Sequence, residues 1–262
     1  MARRKRKALR ILGWFLGGFV SLIILITLGF YLGRGPIMKR ALAYLNQNQH
    51  GEVHMGQMNL IPLMDFPNAV LQLRDVTFYE HPVHPDSLHQ EPILYLNELY
   101  VSLDLKELVR GDYNISHLRL EDGFIRLEVH EDSVTNLEYA LGTRFGEQPA
   151  EDTLSEKPAL RIDLDRIELT NILVLFQDRA RDNQVNLKIN QLESRFSYLP
   201  EMIEAGIELN VDINNIKYLT YSLEKKEGVR FSSQISYDPV GKRVEADPSS
   251  LEISGLELET WG

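Results

Sequence analysis

The sequence predicts a mostly β fold behind an N-terminal transmembrane helix, on three observations. Residues Ile11 to Gly33 carry no charge. Apolar and polar residues then alternate with period two through most of the remaining chain. One apolar pattern, with a spacing of three and then two, recurs six times.

The charge-free stretch is 23 residues long. As a helix it spans roughly 34 Å at about 1.5 Å per residue, enough for a hydrocarbon core of about 30 Å. A cleavable signal peptide has an apolar segment of about 7–15 residues and a small-residue cleavage site. Neither is present, so residues 11–33 read as a retained signal anchor. Six basic residues precede it (Arg3, Arg4, Lys5, Arg6, Lys7 and Arg10). They hold the tip, residues 1–10, on the cytoplasmic side. The chain beyond about residue 34 is then expected outside the cytoplasm.

Outside the tip, 22 of the 28 basic residues face all 38 acidic ones, a net charge of −16. Nucleic acid is not an expected partner of so acidic a body, because phosphate affinity comes from Lys and Arg. The absence of cysteine excludes disulfide scaffolds, thiolate nucleophiles and iron–sulfur clusters.

Pro36 to about Asn48 reads as a short helix, with Pro36 at its first position. Ile37, Ala41 and Leu45 share a face with Met38 and Leu42, and Gly51 ends the segment. A second helix is expected over about Ser133–Leu141. Thr135 and Glu138 form a capping box there, and Gly142 stands at its end. Thr143 to Pro158 is poor in large apolar residues and reads as an acidic linker or loop. It separates a first β unit, residues 34–142, from continuing β repeats over 159–262.

The strands show as runs of period two, which in antiparallel sheets means one wet face and one dry face. One run is Leu99, Val101, Leu103, Leu105. Others are Ile125, Leu127, Val129, then Ile207, Leu209, Val211, Ile213, and Val229, Phe231, Ser233, Ile235, Tyr237. The recurring pattern stands at Leu73-Val76-Phe78, Leu96-Leu99-Val101, Ile115-Leu118-Leu120, Leu164-Ile167-Leu169, Ile213-Ile216-Tyr218 and Ile253-Leu256-Leu258. A spacing of three switches the strand's phase once, as a bulge or kink does. Ile115–Leu127 and Leu164–Phe176 further match at an offset of 49 residues, which points to a repeating β unit.

Two short helices cannot cover the apolar faces of some ten to twelve strands. Either the sheet closes on itself as a sandwich or barrel, or it curls into a trough whose dry face meets something other than protein. In the trough, the lining is expected to include Leu99, Val101, Leu103, Leu105, Ile125, Leu127, Val129, Val174, Phe176, Leu209, Val211, Phe231 and Ile235. In the sandwich, the same residues form an ordinary core.

The order of features carries a resemblance. The anchor and short helix are followed by Gly51-Glu52-Val53, Leu60-Ile61-Pro62 and Leu73-Arg74-Asp75-Val76. Lys106-Glu107-Leu108-Val109-Arg110-Gly111 follows the Leu99 run, then Ile115-Ser116-His117-Leu118-Arg119-Leu120 and Gly123-Phe124-Ile125-Arg126-Leu127, and Asn136-Leu137 opens the second helix. This resembles the N-terminal region of the AsmA-like family, relatives of TamB and of the chorein-type bridge proteins. The likeness covers roughly residues 10–140. It implies a taco-like antiparallel β-groove, held in the inner membrane of a bacterial envelope with its bulk in the periplasm. The implied activity is passage of phospholipid toward the outer membrane. Outer-membrane or periplasmic proteins are the further partners it implies.

No catalytic signature is present: the chain has no P-loop, GxGxxG, GxSxG or HExxH. His81, His84 and His89, with Asp86 and Glu91, are the one metal-like cluster, and read as a solvated loop among prolines. No enzyme activity, cofactor or metal is therefore expected. Two readings stay open. One is a lipid-sheltering groove, and the other is an anchored assembly module that pairs with envelope proteins through exposed strand edges.

Overall fold

The computed structural model describes residues 49–61, 64–65, 67–81, 91–104, 107, 113–142, 160–199, 202–218, 221–223, 226–238, 243–247, 249–254 and 256–260, with scattered positions between 14 and 47. Those scattered positions are all helical. Among the described residues, no helix is long and apolar enough to cross a membrane. Eleven of the 23 positions of the expected anchor fall outside them. Of its described positions, Trp14, Ile24, Leu25, Leu28 and Leu32 are helical and exposed. In the adjoining short helix, Met38 packs against the core around Met58, and Asn46 bonds the backbone of Val53 through both its amide groups.

Among the described residues, thirteen strands form one sheet. They are β1 (Glu52–His54), β2 (Gln57–Ile61), β3 (Ala69–Tyr79), β4 (Leu94–Leu103), β5 (Tyr113–Val129), β6 (Leu160–Asp178), β7 (Asn183–Leu199), β8 (Met202–Tyr218), β9 (Tyr221–Leu223), β10 (Glu227–Asp238), β11 (Arg243–Ala246), β12 (Ser249–Ile253) and β13 (Leu256–Thr260). The main path runs β1-β3-β4-β5-β6-β7-β8-β10-β12-β13, with β2, β9 and β11 paired onto β3, β8 and β10. The alternating runs thus fold as half-dry strands, as their period requires.

One pairing corrects the antiparallel expectation: β5 and β6 run parallel. A parallel pair needs a crossover of a dozen or more residues. The 30 residues between Val129 and Leu160 supply it, including helix α1 (Asn136–Leu141). From Leu118↔Ile167 to Val129↔Asp178 the partners stay 49 residues apart. The internal match in the sequence is therefore the physical register of two neighbouring strands. It ends at Ile115, which pairs with Ile162 and not with Leu164.

All six recurrences of the spacing of three fall on an irregularity. Asp75, beside Val76, has a positive φ of 53°. The pairs Arg74↔Glu98 and Val76↔Leu96 bracket it and place Asn97 opposite. Ile115–Leu118 and Leu164–Ile167 straddle the register shift between β5 and β6. Ile213–Ile216 lies at a shift between β7 and β8. Ile253 and Leu256 flank the β12–β13 turn, where Ser254 has φ 50°.

The kinks line up. Asp75, Asn97, Asp122, Asn171 and Asn190 stand at one level across β3 to β7, bracketed by matching pairs on every strand. Asp122 and Asn171 also have positive φ, 54° and 56°. Asp and Asn tolerate that conformation better than other side chains. Below this crease Leu73, Leu99, Leu120, Leu169 and Leu192 share the apolar face, and above it Val76, Leu96, Ile172 and Ile189 do. The phase switch keeps both sets on one side.

Helix α1 is capped by Thr135, three residues after Asp132. The Thr135 hydroxyl accepts from the Glu138 amide, and the Glu138 carboxylate accepts from the Thr135 amide. Gly142 closes the helix in the left-handed conformation. The start lies later than the expected Ser133, because Ser133 itself sits at φ 65° in the preceding turn. Ala140 of α1 packs with Phe78 and Ile93, and Leu137 and Leu141 border the same cluster. The linker over 143–158 and most of the histidine loop lie outside the described residues.

Candidate functional site: the apolar face of the sheet

One level of side chains shows what the register builds. Met58, Leu73, Leu99, Leu120, Leu169, Leu192, Leu209, Phe231 and Leu251 are successive cross-strand partners from β2 to β12. Every one is apolar. On the far side of the crease, Val76, Leu96, Gly123, Ile172, Ile189, Val211, Val229 and Ile253 form a second such level. A third runs Phe78, Leu94, Ile125, Val174, Leu187, Ile213. A fourth is Leu127, Phe176, Val185, Ile216.

The expected lining residues therefore converge. Leu99, Ile125, Leu127, Val174, Phe176, Leu209, Val211 and Phe231 stand on these levels. Val101 and Leu103 continue the same face of β4, paired with Leu118 and Ile115. Ile235 lies opposite Ala205, two positions beyond Ser233. Val129 stands at the margin, where its partner is Asp178. Leu105 lies outside the described residues. The lining also includes Leu187, Ile189 and Leu192 of β7, which the sequence reading missed. Their signal is the same phase switch, Leu187-x-Ile189-x-x-Leu192, run in the reverse direction.

Among the described residues, little protein lies over the β7–β12 part of this face, where strands pack chiefly against the strands they bond to. Met38 of the N-terminal helix packs against the β2–β6 part, and α1 reaches β5 and the β3–β4 end. Fully buried apolar residues concentrate before α1. After it, among the described residues, only Ile172 and Val211 belong to that class. Leu169, Val174, Leu187, Leu192, Leu209, Phe231 and Leu251 are half-buried.

The opposite face is polar and carries ion pairs. Arg74 meets Glu98 at 3.0 Å, Arg119 meets Glu121 at 2.7 Å, and Arg230 meets Glu252 at 2.9 Å. Glu168 and Glu193 are direct cross-strand partners, as are Glu193 and Glu208. Like charges so placed repel, and Arg166, Arg195 and His117 stand beside them. Lys226 and Asn190 hold the Asp212 carboxyl below its ordinary range. Depressions of about 470 and 320 Å³ lie around Gly206 and between Gln191 and Glu252, lined chiefly by residues of this polar face. Their carboxylates and hydroxyls suit water and ions rather than hydrocarbon.

The Tyr100 hydroxyl donates to Glu98, and Gln72 donates to Tyr100 at 3.2 Å. That hydroxyl holds the Glu98 carboxyl below its ordinary range, against the opposing effect of partial burial. A lowered carboxyl pKa contributes stability at neutral pH that is lost as the pH falls through the folded value. Tyr100→Phe is therefore expected to cost most at pH 7, with the melting temperatures of variant and parent converging in acid. A constant difference across that range would refute the assignment.

No group of three His, Asp or Glu residues is placed to hold a metal among the described residues. Comparison with known proteins finds no matching family model and no curated protein of significantly similar sequence.

Proposed function

We propose that the chain is an AsmA-like envelope protein, anchored in the inner membrane, whose apolar sheet face shelters phospholipid acyl chains in the periplasm. The observation that carries this reading is a hydrocarbon-lined face, continuous from β2 to β12, with no second sheet against it among the described residues. A soluble monomer rarely leaves such a surface bare. The charge-free N-terminal run and the sequence resemblance support the membrane and the family.

The energetics fit a passive conduit. Burying a methylene is worth about 0.8 kcal/mol, so a diacyl lipid faces a barrier on the order of 20 kcal/mol in water. A hydrocarbon lining removes most of it, and no side chain need do chemistry. Aligned kinks bend β3 to β7 at one level. Leu96 and Ile172 stand at that level and are fully buried, at 0% exposure. Met38 and Met55 pack against the cluster that holds them, and a bend toward the apolar side would fold the neighbouring levels over the crease and make that side a trough. Nine strand spacings of about 4.8 Å give the trough a length of roughly 43 Å.

The second reading, an assembly module, draws on the outermost strands β1 and β13, each bonded on one side along the path. Photo-crosslinkers at Leu209 and Phe231 in cells, with mass spectrometry of lipid retained by the purified full chain, separate the two. Lipid adducts and about stoichiometric lipid are expected. Adducts to protein alone, with empty protein after purification, would favour the assembly module.

A further inference from the structure

We infer that the C-terminal half of the apolar face carries a hydroxyl level that receives the ester carbonyls of an acyl lipid; this deepens the lipid-sheltering reading and rests on it. Ser194 on β7 pairs with Ile167 of β6 and Ile207 of β8. Ser233 on β10 stands opposite Ile207, and Ser249 on β12 follows, its Oγ 2.9 Å from Ser233 Oγ. Two residues along each strand from Leu192, Leu209 and Phe231, this level faces the same side as they do. The three serines are 7, 6 and 9% exposed. On β4 and β5 the same level holds Val101 and Leu118.

A serine stripe inside a hydrocarbon lining is costly unless its hydroxyls are bonded. Ser249 and Ser233 bond each other, whereas Ser194 Oγ is buried without a partner. A purely hydrocarbon occupant leaves it so. An ester carbonyl, which is an acceptor with no proton of its own, satisfies it. In a diacyl lipid the carbonyls mark the boundary between tail and head group. The tails then run from the serine level past Leu192 and the crease toward Val185. From Ser194 to Val185, β7 rises about 30 Å at about 3.3 Å per residue step. The head group points the other way, toward the turn joining β7 and β8.

The test compares a diester phosphatidylcholine with its diether analogue, which has the same tails and no carbonyls. Each is offered in vesicles to the purified full chain, and retained lipid is counted by native mass spectrometry. Preference for the diester of about two- to tenfold is expected, the worth of one or two hydrogen bonds. The double variant Ser194→Ala/Ser233→Ala should bind both lipids alike, with an unchanged circular dichroism spectrum, and Ser194→Thr should keep the preference. Equal retention of both lipids by the unaltered chain overturns the hydroxyl level and leaves the sheltering role standing. Retention of neither lipid overturns both.

Discussion

Replacing Gly123 by alanine is expected to destabilise the protein by about 3 kcal/mol or more, at the upper end of overpacking effects. A Cβ at this position would lie 2.0 Å from the Tyr95 carbonyl oxygen and 3.0 Å from the Leu96 Cα. Both are main-chain atoms and cannot swing aside. Gly123 also follows Asp122 at the crease, where φ is 54°, so the strand has little freedom to shift. Thermal denaturation checks this against Gly206→Ala on the polar face, where no atom lies within 4 Å of the added carbon. That control should stay within about 0.5 kcal/mol of the parent. Equal melting temperatures for the two variants would mean that β4 and β5 do not approach as described.

Glutamate at Leu209 and Phe231 together is expected to empty the protein of lipid while leaving it folded. The two residues are cross-strand partners in the middle of the apolar face, and both are half-buried. A carboxylate set among acyl chains costs several kcal/mol even after relaxation. Each 1.4 kcal/mol is about tenfold in affinity, so retained lipid should fall at least tenfold. With no protein layer above them among the described residues, the new charges can meet water in the unloaded molecule, and the melting temperature should move little. Leu96→Ala marks the contrast, since Leu96 is fully enclosed and its truncation costs about 2–5 kcal/mol. A double variant that unfolds as readily as Leu96→Ala would place protein, not lipid, over this face.

Much of this arrangement could be read from residue order, because it depends on local chemistry. Period two reports which side of a strand is dry, and Val229, Phe231, Ser233 and Ile235 lie in β10 as their alternation requires. Thr135, Glu138 and Gly142 set the limits of α1 through hydrogen bonds within a few residues of themselves. What escaped is what distant partners decide. The parallel direction of β6 follows from where the chain returns after α1, and no residue in β6 encodes it. The alignment of kinks at Asp75, Asp122 and Asn171 depends on register between strands far apart in sequence. Leu187, Ile189 and Leu192 went unread because their phase switch runs opposite to the others along the chain. Ser194 stands out only by register, on the level that Val101 and Leu118 hold on earlier strands.

The fixed 49-residue step between β5 and β6 has an evolutionary consequence. Two segments related by pure translation stack with every leucine beside its counterpart, so tandem duplication of that stretch would lengthen the lined surface without disturbing its cross-section. A hairpin offers no such route, because copying one strand of it reverses the next. Each new copy would arrive already in step with the last.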